Sequence, residues 1–447
     1  MILTKIPKFI ENTAITSIFR LVQLALGVGA SIIVARSLGP VGKGIYSLAF
    51  LFYSTMVNFL DFGIGRATIY HIGRKKFLPK EILGINIVFS SLIGLISIIL
   101  GAIIIVFMGK AIFPGVSEKY LFLALMLVPL YLFLNYITSI FLGLQKIKTY
   151  NFFQVLLPLI FLIILAIALL FGKISIETAL FAQIVAYLVS ITAAFFNAKK
   201  IFCGIVFTQK TVAYKDTISY SVKSYLGNII TFFQYRANVF LINIFLNPLA
   251  VGFYSVAIAL AEQIWIISEA AGAMLFPRVA SETDEKKLKE FTPRVCRNVL
   301  FITLAMCAAL FFVGPWLITL LYSTRFSESI EPFKILLIGI IAMSGWRILS
   351  SDLYGRGMPM INTYISSVSV VVSIVLNILL IPKFGIVGAA WATSLSYMAN
   401  FTIIVLVYRK ISGNRIRNTV LVNVSDIKYY FKMFSDITAR YWPMPKK

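Results

Sequence analysis

The residues of this chain best suited to chemistry are cationic side chains inside long apolar segments. Arg20, Lys223 and Arg347 each lie within such a segment. A charge at the centre of a membrane helix costs roughly 2.5–3.5 kcal/mol on insertion scales, so it usually lines a water-filled cavity or meets a partner. Arginine holds phosphate oxygens through two parallel hydrogen bonds. The sequence therefore predicts that these cations line a cavity in the cytoplasmic half of the membrane, where they bind a phosphate-bearing molecule.

Arg20 belongs to a polar stripe on the first apolar segment. The stripe recurs at helical spacing and consists of Thr13, Ser17, Arg20, Gln23, Gly27 and Ser31. A helix that faced only lipid would not carry it, so we expect Arg20 and Gln23 to contact a ligand. In a second interpretation, Arg20 extends to the lipid headgroups or pairs with an acid on another helix. The first segment of the second half has a matching stripe: Lys223, Gly227, Thr231 and Asn238.

Acidic residues in or near the apolar segments are candidates for binding a coupling ion. Asp61 and Glu269 are 208 residues apart, since 269 − 61 = 208, and Glu262 lies seven residues before Glu269 on the same helical face. A buried carboxyl group without a partner is readily protonated, so a proton or Na⁺ is a chemically sensible ligand. The alternative is a set of structural ion pairs: Asp61 with Arg20 or Arg66, and Arg236 with Glu262 or Glu269.

The elements that would position these residues repeat once along the chain. The stretch Leu38–Ala49 (LGPVGKGIYSLA) returns as Leu246–Ala257 (LNPLAVGFYSVA), and 246 − 38 = 208. Leucine, proline, glycine, tyrosine, serine and alanine recur in register without a gap. Chance is the alternative, because glycine, proline and tyrosine are common at helix turns. Repetition at about half the chain length, between apolar segments, indicates a transporter built from two similar lobes.

Composition places the chain in a membrane. Hydrophobic residues make up 60% and charged residues 13% of the 447 positions, and the mean hydropathy is +0.91. A soluble domain would be about half apolar and a quarter charged. About twelve segments are long enough to span a bilayer. They run over 13–35, 42–65, 81–108, 120–144, 151–171, 175–197, 217–246, 250–276, 298–322, 332–353, 361–381 and 386–408.

The net charge of +24 is spread over short loops, with no basic domain that would indicate nucleic-acid binding. One set of loops holds most of the lysines and arginines, and by the positive-inside rule that set faces the cytoplasm. The opposite set is sparse, and it includes Arg36 and Lys43, which are therefore predicted to lie in an outer loop. An even number of spans places both termini in the cytoplasm.

The predicted organisation is an all-α polytopic protein of the cell membrane with two six-helix lobes. The N-terminal lobe covers 1–197, a cytoplasmic linker covers 198–216, and the C-terminal lobe covers 217–409. The tail, 410–447, has apolar residues on one face of a helix that Ser425 would cap, which suits a helix lying on the inner leaflet. The alternative for this segment is a disordered tail.

Motifs for enzymes and cofactors do not occur in the sequence. Three cysteines and one histidine have no metal-ligand spacing, and the chain has no GxxxxGK[ST], GxSxG or HExxH motif. The sequence therefore predicts a transporter rather than an enzyme, without a metal or an organic cofactor, and with H⁺ or Na⁺ as the candidate coupling ions.

Several stretches together resemble polysaccharide flippases of the Wzx type, in the multidrug/oligosaccharidyl-lipid/polysaccharide (MOP) exporter superfamily. In the first half these are VARSLGPVGKGIYSLAF (Val34–Phe50) and LDFGIGRATIYHIGRK (Leu60–Lys75). In the second half they are LYSTRFSESIEPFKIL (Leu321–Leu336), LYGRGMPMINTYISS (Leu353–Ser367) and LNILLIPKFGIVGAAWATSLSY (Leu376–Tyr397). Of these, IPKFGIVGAAWAT is the most specific.

The resemblance implies twelve helices in two six-helix lobes, as in the parallel repeat of MATE-type transporters, around a central cavity. It implies that an isoprenoid-diphosphate-linked oligosaccharide moves from the inner to the outer leaflet by alternating access, for surface polysaccharide synthesis. The implied partners are this substrate, membrane lipids, and a polysaccharide polymerase and glycosyltransferases. No motif of the family fixes a role for Arg20 or Arg347.

Two other functions compete with this interpretation. An ion-coupled drug or cation antiporter of the same superfamily predicts an acidic binding cavity. A non-transporting membrane scaffold for polysaccharide synthesis enzymes predicts that loss of Arg20 and Arg347 is harmless.

Overall fold

The structure is a computed structural model that describes residues 5–202, 204–207, 214–218, 226–282, 284–421 and 423. Every regular element in these ranges is helical. In chain order the α-helices are α1 (Lys5–Leu60), α2 (Ile64–Gly73), α3 (Pro79–Ile112), α4 (Glu118–Gly143), α5 (Ile147–Leu170), α6 (Ile176–Phe202), α7 (Leu226–Phe245), α8 (Pro248–Glu262), α9 (Trp265–Ser281), α10 (Glu285–Tyr322), α11 (Ile330–Gly355), α12 (Pro359–Ser412) and α13 (Ile416–Val420). A 3₁₀ turn, Thr324–Ser329, lies between α10 and α11.

Helices suited to a membrane dominate this list. In the described part of the chain, eight helices are long and apolar enough to cross a bilayer, or nine when α8 and α9, bent by 44°, count as one span. The predicted tail helix and Lys223 lie outside the described residues, and the lobe boundaries stay a prediction.

Two of the longest helices are each interrupted by a glycine. Gly39 in α1 has a φ of 66°, a left-handed conformation that favours glycine, and Pro40 follows it as the first residue of a new helical segment. Gly385 interrupts α12 with a φ of 58°. In α12 the two halves lie side by side, because the Ser369 hydroxyl donates a hydrogen bond to the Ser396 carbonyl at 3.2 Å. These interruptions fall at the ends of apolar segments predicted from the sequence.

The chain forms two compact units. The first consists of Met1–Ser255 and Ile318–Glu328. Its core brings α1, α5 and α6 together through apolar side chains, four of them alanines, and small residues of this kind are usual where membrane helices approach closely. These residues are Ala30, Val34, Phe161, Leu165, Ala179, Ala182 and Ala186.

The second unit consists of Val256–Leu317 and Ser329–Lys447. Helix α11 is buried along most of its length and packs against α12, where the Ser394 hydroxyl donates to the Ile335 carbonyl at 2.9 Å. A buried helix with charged residues on it fixes those charges in place, and α11 carries Arg347 and Asp352.

Candidate functional site

The second unit joins Arg347 and Glu269 in an ion pair. Arg347 lies on α11 and Glu269 on α9, and Nη1 of the guanidinium is 2.6 Å from Oε1 of the carboxylate. The Arg347 side chain is 17% exposed, whereas that of Glu269 is 46% exposed. The Arg347 side chain is therefore largely enclosed by the protein, while its carboxylate partner is half-exposed.

Trp265 fixes the other face of the same guanidinium. The guanidinium carbon lies 4.3 Å from the centre of the Trp265 ring, which is itself buried. Arginine stacks on indole through a cation–π attraction, and stacking orients the planar fork of N–H donors. The Arg347 fork is thus oriented by Trp265, and Glu269 occupies the oxyanion position at its Nη1 in this structure.

A close crossing of α9 and α11 makes this pair possible. A Cβ atom on Gly272 would lie 2.7 Å from the Ser351 hydroxyl, one helical turn from Glu269 and from Arg347. Ser351 in turn donates to the Arg347 carbonyl at 2.9 Å. Only a residue without a side chain allows the two helices to come this close without displacing Ser351.

The end of α11 is anchored by a second, buried ion pair. Asp352 is fully buried and accepts hydrogen bonds from the Thr292 hydroxyl at 2.6 Å and from Arg356 Nε at 2.5 Å. Arg356 also donates to both carboxylate oxygens of Glu285 at 2.9 and 3.0 Å. These bonds tie α11 to the start of α10, so the helix that carries Arg347 is held near the site.

Asp61 has a different environment from its repeat partner Glu269. It lies in the turn between α1 and α2, where its Oδ1 accepts a hydrogen bond from Asn135 Nδ2 at 3.2 Å. The Tyr136 hydroxyl donates to the Asp61 backbone carbonyl at 2.8 Å, and Arg66 lies near enough for its charge to act on the carboxylate. Asp61 is thus surrounded by amide and phenol groups, with Arg66 the nearby cation.

Arg20 and Gln23 are exposed on α1. No carboxylate in the described ranges forms an ion pair with Arg20, and its charge acts on Tyr150 of α5. This arrangement favours neither a ligand nor the lipid headgroups as the partner of Arg20. The roles of Arg20 and Gln23 stay predictions.

Arg236 and Glu262 are both half-buried, on α7 and α8 respectively. Of the two acids considered as partners of Arg236, Glu269 pairs with Arg347 instead. Lys223 lies outside the described residues. The sequence did not reveal the Arg347–Glu269 pair, because the two residues are 78 positions apart and no local spacing links them.

Lys43 was predicted to lie in an outer loop, and its burial was not predicted. In the structure Lys43 lies in α1, only 7% exposed, with Nζ 3.1 Å from the Ser31 hydroxyl and 5.6 Å from the centre of the Tyr46 ring. One signal was available. The repeat puts Val251 at the matching position, since 43 + 208 = 251, so one copy has a cation where the other has an apolar residue.

The two copies of the repeated sequence pack directly against each other in the first unit. A Cβ atom on Gly44 would overlap the carbonyl oxygen of Pro248, and one on Gly252 would overlap the carbonyl oxygen of Pro40. The contact is reciprocal, because each copy supplies a glycine and a proline carbonyl in the same order. Shared glycines in the two copies are therefore explained by this packing.

In the loop after α2 and in the predicted linker, outside the membrane-spanning helices, Lys76 Nζ forms an exposed ion pair with Asp216 Oδ2 at 2.6 Å. The hydrogen bond from the Lys76 ammonium holds the pKa of Asp216 below its usual range. Throughout the described residues, no group of three or more histidine, cysteine, aspartate or glutamate side chains is arranged to hold a metal ion.

Comparison with known proteins agrees with this architecture. The family described as "Polysaccharide biosynthesis protein" matches residues 33–331. The chain is 27% identical over 195 residues to the probable low-salt glycan biosynthesis flippase Agl15 of Haloferax volcanii, covering 42% of this chain and 40% of that one. It is 23% identical over 397 residues to a putative O-antigen transporter of Shigella flexneri, covering 84% and 92%. The chain spans 36% and 40% of the lengths of the first two curated relatives that it matches.

Solved structures share the fold at low sequence identity. The lipid II flippase MurJ in an inward closed conformation matches with a TM-score of 0.73 at 12% identity, covering 94% of this chain and 92% of that one. An inward-facing MATE family transporter of the MOP superfamily matches with a TM-score of 0.70 at 17% identity, covering 89% and 98%. The chain is thus a multi-pass helical membrane protein, and it belongs to the polysaccharide biosynthesis protein family.

Proposed function

We propose that this protein is a flippase that moves an isoprenoid-diphosphate-linked oligosaccharide from the inner to the outer leaflet by alternating access. The observation that carries the proposal is the Arg347 site. Its guanidinium is stacked on Trp265 and faces a half-exposed carboxylate, so a diphosphate oxygen can take the place of Glu269 on the same donors.

The family and its relatives support the lipid-linked substrate. Membership concerns polysaccharide biosynthesis, and the two relatives are named for glycan flipping and O-antigen transport. A flippase in this setting receives its substrate from glycosyltransferases and delivers it to a polymerase. In this proposal the coupling ion is H⁺ or Na⁺. It binds at Asp61, or at Glu269 once a substrate has displaced the Glu269 carboxylate from Arg347.

The proposed architecture has twelve spans, six in each lobe, with both termini in the cytoplasm. The interruptions at Gly39 and Gly385 support it, because each divides a helix of more than 50 residues into two lengths sufficient to cross a bilayer. The nine candidate spans already count α8 with α9 as one, and dividing α1 and α12 into two spans each gives eleven. The shorter apolar helix Ile229–Phe245 in α7 is the proposed twelfth.

A proteoliposome assay tests the proposal. A labelled polyprenyl-diphosphate oligosaccharide is placed in the vesicles, and its exposure to an impermeant sugar-modifying enzyme is followed for the wild type and for Arg347→Ala. We expect flipping by the wild type and a loss of about 10- to 100-fold in the variant, since a hydrogen bond to a charged group contributes roughly 1.5–3 kcal/mol.

The control is Lys110→Ala, which removes an exposed lysine of α3. Absence of flipping by folded wild type, with proton and Na⁺ gradients imposed, would reject the flippase. Transport of an organic cation under those gradients would favour the antiporter, and polymer synthesis that needs the protein but not Arg347 would favour the scaffold.

A further inference from the structure

Lys43 is a buried cation. In the part of the chain that the structure describes, no carboxylate forms an ion pair with it. The Ser31 hydroxyl, at 3.1 Å, accepts one of its three N–H donors, and the Tyr46 ring lies at 5.6 Å. A hydroxyl and an aromatic face satisfy part of the ammonium, but they do not neutralise its charge.

Such a charge is costly inside a helix that crosses a bilayer. Burying an ammonium in a low-dielectric region costs free energy that only good pairing offsets. Removing a buried charge that lacks a partner therefore usually increases the stability of the folded protein. The matching repeat position, Val251, is apolar and fully buried, so the fold itself does not need a cation there. Lys43 therefore needs a function to explain it.

The surroundings of Lys43 favour an anion. The residue lies in the first turn of the helical segment that starts at Pro40, and the free N–H groups at such a start carry partial positive charge. Arg36, just before the break at Gly39, is exposed and donates to the Leu320 carbonyl at 3.2 Å rather than to an acid. Two cations and a helix start thus flank one break in α1.

We propose that Lys43 forms a second anion site, which binds a phosphate group of a lipid. By the predicted topology the break in α1 at Gly39 faces the outer side, so the site would hold the headgroup as it leaves the protein. The phosphate has two sources of the same chemistry, the transported lipid diphosphate or a resident anionic phospholipid. The first source rests on the proposed flippase function, whereas the second does not.

Binding of inorganic pyrophosphate tests the site directly. The full-length protein is prepared in nanodiscs of phosphatidylcholine with Arg347→Gln, which removes the other proposed phosphate ligand. Lys43→Met is then added, with Lys43→Arg as the charge-preserving variant and Lys110→Met as a control at an exposed lysine. Pyrophosphate should raise the unfolding temperature of the Arg347→Gln protein, and Lys43→Met should weaken its affinity about tenfold or more, as for loss of a charge-assisted hydrogen bond.

Stability without the anion separates a site from a structural role. We expect Lys43→Met to unfold at the same temperature as its parent or higher, because a buried charge has been removed. A lower unfolding temperature together with unchanged pyrophosphate affinity would show that Lys43 only supports the helix break, and it would overturn the proposal. Unchanged affinity at unchanged stability would overturn it as well.

Flipping in two lipid mixtures distinguishes the sources. If Lys43→Met slows flipping in phosphatidylcholine vesicles, the transported diphosphate is the source of the bound phosphate. If it slows flipping only in vesicles that also contain phosphatidylglycerol, the resident lipid is the source. If the wild type does not flip but Lys43 still binds pyrophosphate, the flippase proposal fails and the site stands. If Arg347→Ala abolishes flipping while Lys43→Met changes neither binding nor flipping, the site fails and the flippase stands.

Discussion

Lys43 and Arg347 are both cations inside helices, yet their environments differ in one respect. Arg347 has a carboxylate at 2.6 Å and an indole ring at 4.3 Å, whereas Lys43 has a hydroxyl and a more distant phenol ring. At Arg347, an incoming anion must compete with the half-exposed carboxylate of Glu269. At Lys43 there is no such carboxylate among the described residues, so the charge stays buried and uncompensated until an anion from outside the chain binds.

If both proposed sites hold a phosphate group, they would do so in two different ways. At Arg347 an incoming phosphate would replace Glu269, so binding would be an exchange that frees a carboxylate. At Lys43 binding would be an addition that neutralises a charge, and it would stabilise the conformation in which the anion can reach Lys43.

The largest loss of stability is expected at Gly44, where the helix that carries Lys43 packs against the Pro248 carbonyl. Gly44→Ala places a methyl group against the Pro248 carbonyl, which is backbone and cannot swing aside. We expect a loss of about 3 kcal/mol in unfolding free energy, at the upper end for overpacking, measured by chemical unfolding in micelles. Gly27→Ala on the same helix is the control, because its Cβ would meet no atom within 4 Å. Equal stability of the two variants would contradict the packing described at Gly44.

A smaller effect is expected at the crossing that supports Arg347. Gly272→Ala pushes against the Ser351 hydroxyl, which can rotate away but then loses its bond to the Arg347 carbonyl. We expect a loss of about 1 kcal/mol, the typical net contribution of one hydrogen bond. Pyrophosphate affinity should also change, because a shift of α9 changes the distance between Glu269 and Arg347. Unchanged stability and affinity would show that the crossing does not position the pair.

Glu269→Gln tests whether this carboxylate and a phosphate group compete for the same guanidinium. If Glu269 competes with phosphate for Arg347, its neutralisation should raise pyrophosphate affinity roughly two- to fivefold, since a partly exposed ion pair contributes up to about 1 kcal/mol. Titration calorimetry on the wild type and the variant measures this. The same substitution in a Lys43→Met background should give the same increase, because Glu269 acts on Arg347 alone. A decrease in affinity would mean that Glu269 orients the arginine rather than competing for it.

The smallest effect is expected for the exposed pair of Lys76 and Asp216. The folded-state pKa of Asp216 lies below the unfolded value, so its contribution to stability is present above about pH 4 and is lost as the pH falls through the folded pKa. Asp216→Asn should therefore abolish only a slight pH dependence in that acidic window. Unfolding temperatures measured from pH 3 to 7 check this. A large difference at neutral pH would mean that the surface pair matters more than its exposure implies.

The sequence predicted the parts of the fold that depend on local composition. Apolar length predicted membrane helices, and the predicted gap between the segments 13–35 and 42–65 contains the break that the structure has at Gly39 and Pro40. The repeat also placed Asp61 and Glu269 at matching positions. Their partners, an amide in one case and an arginine in the other, depend on which helices pack, and spacing along the chain does not encode that.

Lys43 shows what a charge count leaves out. The sparse set of loops that includes Lys43 was assigned to the outer side by the positive-inside rule, and that rule counts charges without regard to burial. The break at Gly39 folds the chain so that Lys43 returns towards Ser31, twelve residues earlier on α1. Comparing the two repeat copies residue by residue would have marked Lys43 against Val251.

Recognition of a diphosphate by Arg347 is tested by equilibrium binding of a short-chain isoprenyl diphosphate to the wild type and to Arg347→Gln, with the corresponding isoprenol as the ligand control. We expect the diphosphate to bind the wild type at least about tenfold more tightly than the variant, as for a charge-assisted contact, and the isoprenol to bind both equally weakly. Equal affinity of the diphosphate for both proteins would contradict the claim that Arg347 recognises the headgroup.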